Sequence, residues 1–135
     1  VYSRDVFLHI ADKPRLFRVL HAALKPGGKL FFTDYCCGPK PWSDEFTAYV
    51  ASRAYTLHTV DAYAELIACA GFEQVDASDV TPRFIELQQA ELQKIESLAL
   101  PQPVRNKLHQ SWRQKIERAV AGDQRWGLFS AVKAE

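Results

Sequence analysis

The chain contains no methionine, not even at its start, and it opens in mid-pattern at Val1-Tyr2-Ser3-Arg4-Asp5. That beginning predicts the second half of a longer protein. Charge imbalance is also missing: 17 Lys and Arg face 16 Asp and Glu, a net charge of +1. No strong field therefore draws the chain to nucleic acid or to an anionic membrane. No apolar run approaches the ~20 residues of a membrane span, and no basic-then-apolar leader opens the chain. Cysteine is scarce, at three residues, with Cys36 and Cys37 adjacent and Cys69 alone. Without a C-x-x-C spacing this argues against a disulfide scaffold or a zinc site, and it suits a reducing cytoplasm.

What is present is ordinary for one soluble globular domain: 135 residues, 47% hydrophobic and 24% charged, enough for a real core. The organising stretch is Leu24-Lys-Pro-Gly-Gly-Lys-Leu-Phe-Phe-Thr-Asp-Tyr-Cys36. It reads as a helix end, a Pro-Gly-Gly turn and a strand. Leu30, Phe31 and Phe32 are expected to be covered on both faces. The strand is expected to stop at Thr33-Asp34-Tyr35, where an open α/β sheet places its ligands.

The remaining elements follow from caps and periodicity. Val1-Tyr2 reads as a strand end with Ser3-Arg4-Asp5 as its polar lip. Asp12 caps a helix with Leu16, Phe17, Leu20 and Leu24 at helical spacing. Ser43 and Thr59 cap two more, the first presenting Phe46, Tyr49, Val50 and Arg53 on one face. Residues 73–80 alternate as an edge strand. Thr81-Pro82 opens a fourth helix, Pro101-Gln102-Pro103 breaks it, and a fifth runs from about Val104 to Val120. Trp126 to Val132 is the last strand. The βαβ opening implies parallel strands, and the glycine-rich cofactor turn is expected in a preceding half.

Together these residues carry a resemblance. Tyr2-Ser-Arg-Asp-x-x-x-His9, Leu24-Lys-Pro-Gly-Gly-Lys and Thr33-Asp-Tyr-Cys36 resemble the second half of a class I S-adenosylmethionine-dependent methyltransferase. Asp44-Glu-Phe-x-x-Tyr49, Arg53-x-Tyr-x-Leu57, Ala70-Gly-Phe72, Trp112-x-x-Lys115 and Gln124-Arg-Trp-Gly127 narrow it. The chain is similar to the phosphoethanolamine N-methyltransferases of plants, nematodes and the malaria parasite. The match is weakest between about Glu86 and His109.

That resemblance implies a Rossmann-like α/β sandwich with a seven-stranded, mostly parallel sheet. Its last strand runs antiparallel between its neighbours, and this chain supplies roughly the last three strands. Residues 1–135 would be the C-terminal part of one methyltransferase domain; in the plant proteins the corresponding part is the second methyltransferase domain, with another upstream. The implied reaction moves methyl groups from S-adenosylmethionine, without a metal, to phosphoethanolamine and its mono- and dimethyl forms, giving phosphocholine for phosphatidylcholine synthesis.

Such a substrate has two ends. A phosphate needs cations and hydroxyl donors: Arg as a fork, Lys as a point charge, Tyr as a rigid phenol. Tyr49 and Arg53 lie one helical turn apart, and Lys115 shares a stripe with Leu108, Ser111 and Trp112. The resemblance assigns Tyr35, Tyr49, Arg53, Tyr55 and Lys115 to the phosphate. An ammonium cannot attack a methyl group until it loses a proton, which an imidazole can take. The resemblance assigns this to His9, with Asp5 holding the amine and a tyrosine of an N-terminal lid, absent here, as partner of His9. Ser3 and Arg4 match positions at the methionine and sulfonium end of the cofactor. The acidic-x-Gly-x-Gly loop, the acidic ribose-binding residue and the lid are all missing. The isolated chain is accordingly expected to be inactive and poorly stable, with an unpaired sheet edge.

Each residue also has a plainer reading. Tyr49 and Arg53 could be a packed cation–π pair, and Asp5 a helix cap. Asp34 reads as a strand-end cap for backbone N–H groups. Trp42, Trp112 and Trp126 read as packing, and His21, His58 and His109 as surface or packing. Two other functions fit the same pattern less fully. One is a methyltransferase for a phosphate-free sterol, polyketide or amine; the other is a non-catalytic phosphobase-binding module. A nucleic-acid methyltransferase lacks its basic stripe.

Overall fold

The computed structural model describes residues 1–135. The order is β1 (Tyr2–Arg4), a 3-10 turn (Phe7–His9), α1 (Lys13–Ala23), β2 (Lys29–Cys37), α2 (Asp44–Arg53), α3 (Val60–Cys69), β3 (Glu73–Asp79), α4 (Thr81–Ser97), α5 (Gln102–Ala121) and β4 (Gln124–Val132). The sheet runs β1-β2-β4-β3. β1 is parallel to β2, while β4 is antiparallel to both β2 and β3. The antiparallel last strand between two neighbours and the edge position of β3 are as expected. The strand end expected at Val1-Tyr2 is the short β1, extended to Arg4 by pairing with Phe31–Thr33, and the three expected strands follow it. No helix is long and apolar enough to cross a membrane.

The caps act as their side chains dictate. Asp12, Ser43 and Thr59 accept from the backbone N–H of Arg15, Phe46 and Ala62, each three residues on, which satisfies an orphan donor of the first turn. α2 ends differently. Ala54 sits in the left-handed region at φ 54. The N–H groups of Ala54 and Tyr55 reach back to the carbonyls of Ala51 and Val50, the paired bonds of a Schellman stop. An alanine there costs roughly 1 kcal/mol, and the turn swings Tyr55 back over its own helix.

β2 corrects the sequence in two ways. It does not stop at Thr33-Asp34-Tyr35 but continues to Cys37, because its antiparallel partner holds the register as far as Gln124. It is not covered on both faces either. Leu30, Phe32, Asp34 and Cys36 are buried, but Phe31 is 44% exposed. The alternation is that of a half-covered strand. On the covered face, Phe32 packs among Phe7, Phe17, Tyr63 and Phe129 in the main core. Each such ring contributes about 1.5–3 kcal/mol by leaving water. Gly127 belongs to this layer because a Cβ there would collide with the Phe129 ring and Cys36 Sγ. On the other face Phe84, Ala119 and Trp126 close a smaller cluster under α4 and α5, with Tyr35 against it.

Candidate active site

The buried polar residues come first, since they hold the functional ones. Asp34 is fully buried and accepts from the Leu8 N–H (3.2 Å) and the Tyr63 hydroxyl (2.6 Å). Burial lifts its carboxyl from the ordinary 3.8 to about 6, against the opposing pull of Tyr63, Lys13 and Leu8. It is a cap for a backbone N–H, as read from the sequence, although it lies within the strand. Lys13, also fully buried, donates to the carbonyls of Ile10 (2.9 Å) and Thr56 (2.8 Å). The Thr56 N–H in turn donates to the Leu8 carbonyl at 2.9 Å. These bonds fasten the turn bearing His9 to the segment bearing Tyr55. The His9 ring meets the Tyr55 ring edge-on, with centroids 5.3 Å apart.

Asp5 is not a helix cap. It lies before the 3-10 turn in the left-handed region, φ 52. Its Oδ1 accepts from Thr33 Oγ1 (3.0 Å) and from the Trp126 indole Nε1 (2.9 Å), which leaves Oδ2 without a protein donor. Trp126 thus does more than pack. Arg4, Asp5, Tyr35, Trp112, Lys115 and Trp126 are among the residues lining a cavity of about 250 Å3. Ser3 sits half-buried in the edge strand β1.

Lys115 also lines an adjoining cavity of about 380 Å3, with Glu45, Tyr49, Arg53 and Arg118. Tyr55 lies between the two regions, its ring 6.5 Å from Tyr35 and 5.8 Å from Tyr49. Arg53 lies 5.8 Å from the Tyr49 ring, and Lys115 lies 4.4 Å over the Trp112 ring. Burial, then Arg118 and Arg53, lower the Lys115 ammonium pKa. Burial, then Asp5 and the neighbouring tyrosines, raise the Tyr35 phenol pKa. That phenol is therefore a hydrogen-bond donor near neutral pH. The structure thus places Tyr49, Arg53 and Lys115 around one cavity and Tyr35, Lys115 and Asp5 around the next, with the Tyr55 ring against Tyr35, Tyr49 and His9.

Three residues of this arrangement escaped sequence reasoning. Arg118 follows Lys115 by one helical turn, a spacing that puts both on one face and was the available signal. Trp126 carried none, since its partner Asp5 lies 121 positions away, and neither did Lys13, whose bond to Thr56 spans 43.

The fold is that of part of a class I S-adenosylmethionine-dependent methyltransferase domain. It superposes on a Haemonchus contortus phosphoethanolamine N-methyltransferase 2, solved with phosphomonomethylethanolamine and S-adenosylhomocysteine, with a TM-score of 0.94 and 33% identity, over 100% of this chain and 33% of that one. The chain is 43% identical over 139 residues to phosphoethanolamine N-methyltransferase 1 of Zea mays, covering 98% of itself and 28% of that protein. It is 37% identical over 142 residues to the Plasmodium falciparum phosphoethanolamine N-methyltransferase, covering 98% of itself and 53% of that protein. No protein-family model matches. The chain is homologous, along nearly all its length, to the phosphoethanolamine N-methyltransferases. It spans 28% of the maize relative's length and 53% of the parasite one's.

Proposed function

We propose that the protein carrying this chain is an N-methyltransferase acting on phosphoethanolamine, its mono- and dimethyl forms, or both, and yielding phosphocholine for phosphatidylcholine synthesis. Residues 1–135 are its substrate-holding C-terminal part, in the cytoplasm, with a further methyltransferase domain upstream as one arrangement. The observation that carries this reading is the clustering of Tyr49, Arg53 and Lys115 on one cavity and of Tyr35, Lys115 and Asp5 on the next, with Tyr55 in ring contact with Tyr35, Tyr49 and His9. Cations and phenol donors suit a phosphate. A carboxylate with one free oxygen suits an amine, and an imidazole four residues on suits its proton.

In this reading Asp5 orients the ammonium group through Oδ2, while Thr33 and Trp126 keep Oδ1 fixed. His9 accepts the proton that must leave before the nitrogen lone pair becomes available. The phosphate contacts hold the other end, so that the amine is delivered in one orientation. S-adenosylmethionine, when bound, supplies an electrophilic methyl group. Ser3 and Arg4 fit one side of its methionine end: a hydroxyl and a guanidinium at the end of β1, with Arg4 lining the Asp5 cavity.

The test is methyl transfer by the complete gene product. It uses labelled S-adenosylmethionine with the three phosphorylated amines and free ethanolamine, alongside Arg53→Ala and His9→Ala. Turnover of the phosphorylated amines alone, lost in both variants, supports the reading. Equal turnover of free ethanolamine, or an Arg53→Ala enzyme that is unaffected, overturns the phosphate assignment.

A further inference from the structure

We propose that Arg118 is a specificity-determining residue of the anion cavity. It makes the cavity select a dianionic phosphomonoester over a monoanionic ester of the same shape. The inference rests on the phosphate reading above and adds a residue to it.

Three observations carry it. Arg118 is 7% exposed, and its guanidinium lies 3.7 Å over the Tyr49 ring, closer than Arg53 at 5.8 Å. It therefore supports the face of a tyrosine that borders the anion space. Its Nη1 pairs with Glu45 Oε1 at 3.1 Å, yet its buried Nε–H has no acceptor in the protein. That N–H is closed off from the cavity, so what Arg118 offers an anion there is its charge, held at short range in a half-dry setting. The charges also count. Arg53, Lys115 and Arg118 line the cavity with Glu45 as the one carboxylate, leaving two positive charges uncompensated. That matches a phosphomonoester above its second ionisation, at about 6. Without Arg118, Glu45 would oppose one of the two remaining cations, leaving the site matched to a single negative charge.

The experiment compares phosphoethanolamine with ethanolamine O-sulfate, a monoanion of nearly the same shape, as substrates of the complete gene product. The variants are Arg118→Leu, Arg118→Lys and Glu45→Gln. In the parent, KM for phosphoethanolamine is expected to fall as pH rises through the second phosphate ionisation. Arg118→Leu is expected to raise that KM about ten- to hundredfold, to flatten its pH dependence and to change the KM for the sulfate far less. Arg118→Lys should restore part of the preference. Glu45→Gln keeps the guanidinium and removes the opposing charge, so the preference for the dianion should hold or grow. Equal loss for both esters in Arg118→Leu would overturn the inference, leaving Arg118 a mere prop for Tyr49. So would a Glu45→Gln enzyme that loses the dianion preference, and this second arm stands even if Arg118→Leu fails to fold. A parent with no turnover of phosphoethanolamine, and none of its mono- or dimethyl forms either, overturns the phosphate reading and this inference with it. A parent that turns it over without any Arg118 effect overturns this inference alone.

Discussion

Trp126 and Asp5, 121 positions apart in the chain, are joined by a 2.9 Å hydrogen bond from the indole Nε1 to Oδ1. The bond turns a core residue of the last strand into the orienting partner of the carboxylate assigned to the amine. Trp126→Phe keeps an aromatic ring under α4 but removes the N–H. Loss of that charge-assisted bond is expected to cost about 1.5–3 kcal/mol. In steady-state kinetics it should appear mainly as a raised KM for the phosphorylated amine, with inhibition by free inorganic phosphate little changed. An unchanged KM would mean that Thr33 alone fixes Asp5.

Lys13 tests the framework beneath the site. Lys13→Met retains the buried stem but orphans the carbonyls of Ile10 and Thr56. An expected cost of about 2–4 kcal/mol follows from leaving buried acceptors unmet. Urea midpoints would register it, and hydrogen exchange should quicken first at Leu8 and Thr56. A variant as stable as the parent would show that water takes over both carbonyls.

Asp34 gives a pH signature. Its folded carboxyl titrates near 6, above the ordinary 3.8, so the folded state holds a proton that the unfolded state has released. This group's contribution to stability is therefore fully present below about pH 4 and is lost as pH rises through 6. The difference is on the order of 3 kcal/mol. Asp34→Asn lacks the titration. Relative to that variant, the parent should lose stability between pH 4 and pH 6.5 in denaturant titrations. Parallel curves would refute the assignment.

Much of the fold was legible because its signals are local. Pro26-Gly27-Gly28, the caps Asp12, Ser43 and Thr59, and the break at Pro101 each act within a few residues. The extent of β2 was not. It depends on β4, whose pairing with Cys37 begins at Gln124, and nothing in Thr33-Asp34-Tyr35 reveals that partner. The site divides in the same way. Tyr49, Arg53 and Lys115 declare themselves by type and helical spacing. Trp126, Lys13 and Arg118 act through partners in other elements, and burial of a cation is invisible to composition.

The exposed face of β2 yields another expectation. Tyr2 and Phe31 stack at 6.0 Å and are 71% and 44% exposed, beside the open edge of β1. An apolar, unpaired edge invites association. The 135-residue chain on its own should sediment as a mixture of oligomers, and Phe31→Lys should shift it toward monomer. A monomeric parent chain would argue that the edge is already blunt.

The only side-chain hydrogen bond between α2 and α5 runs from Arg118 to Glu45, while Arg53, Lys115 and Arg118 repel one another across the same gap. Mechanically, the two helices are a pair of jaws sprung by like charge and held by that tether and by the Arg118 guanidinium on the Tyr49 ring. An anion seated between them is a rivet as much as a cargo, so substrate itself would complete the packing of the longest helix in the chain.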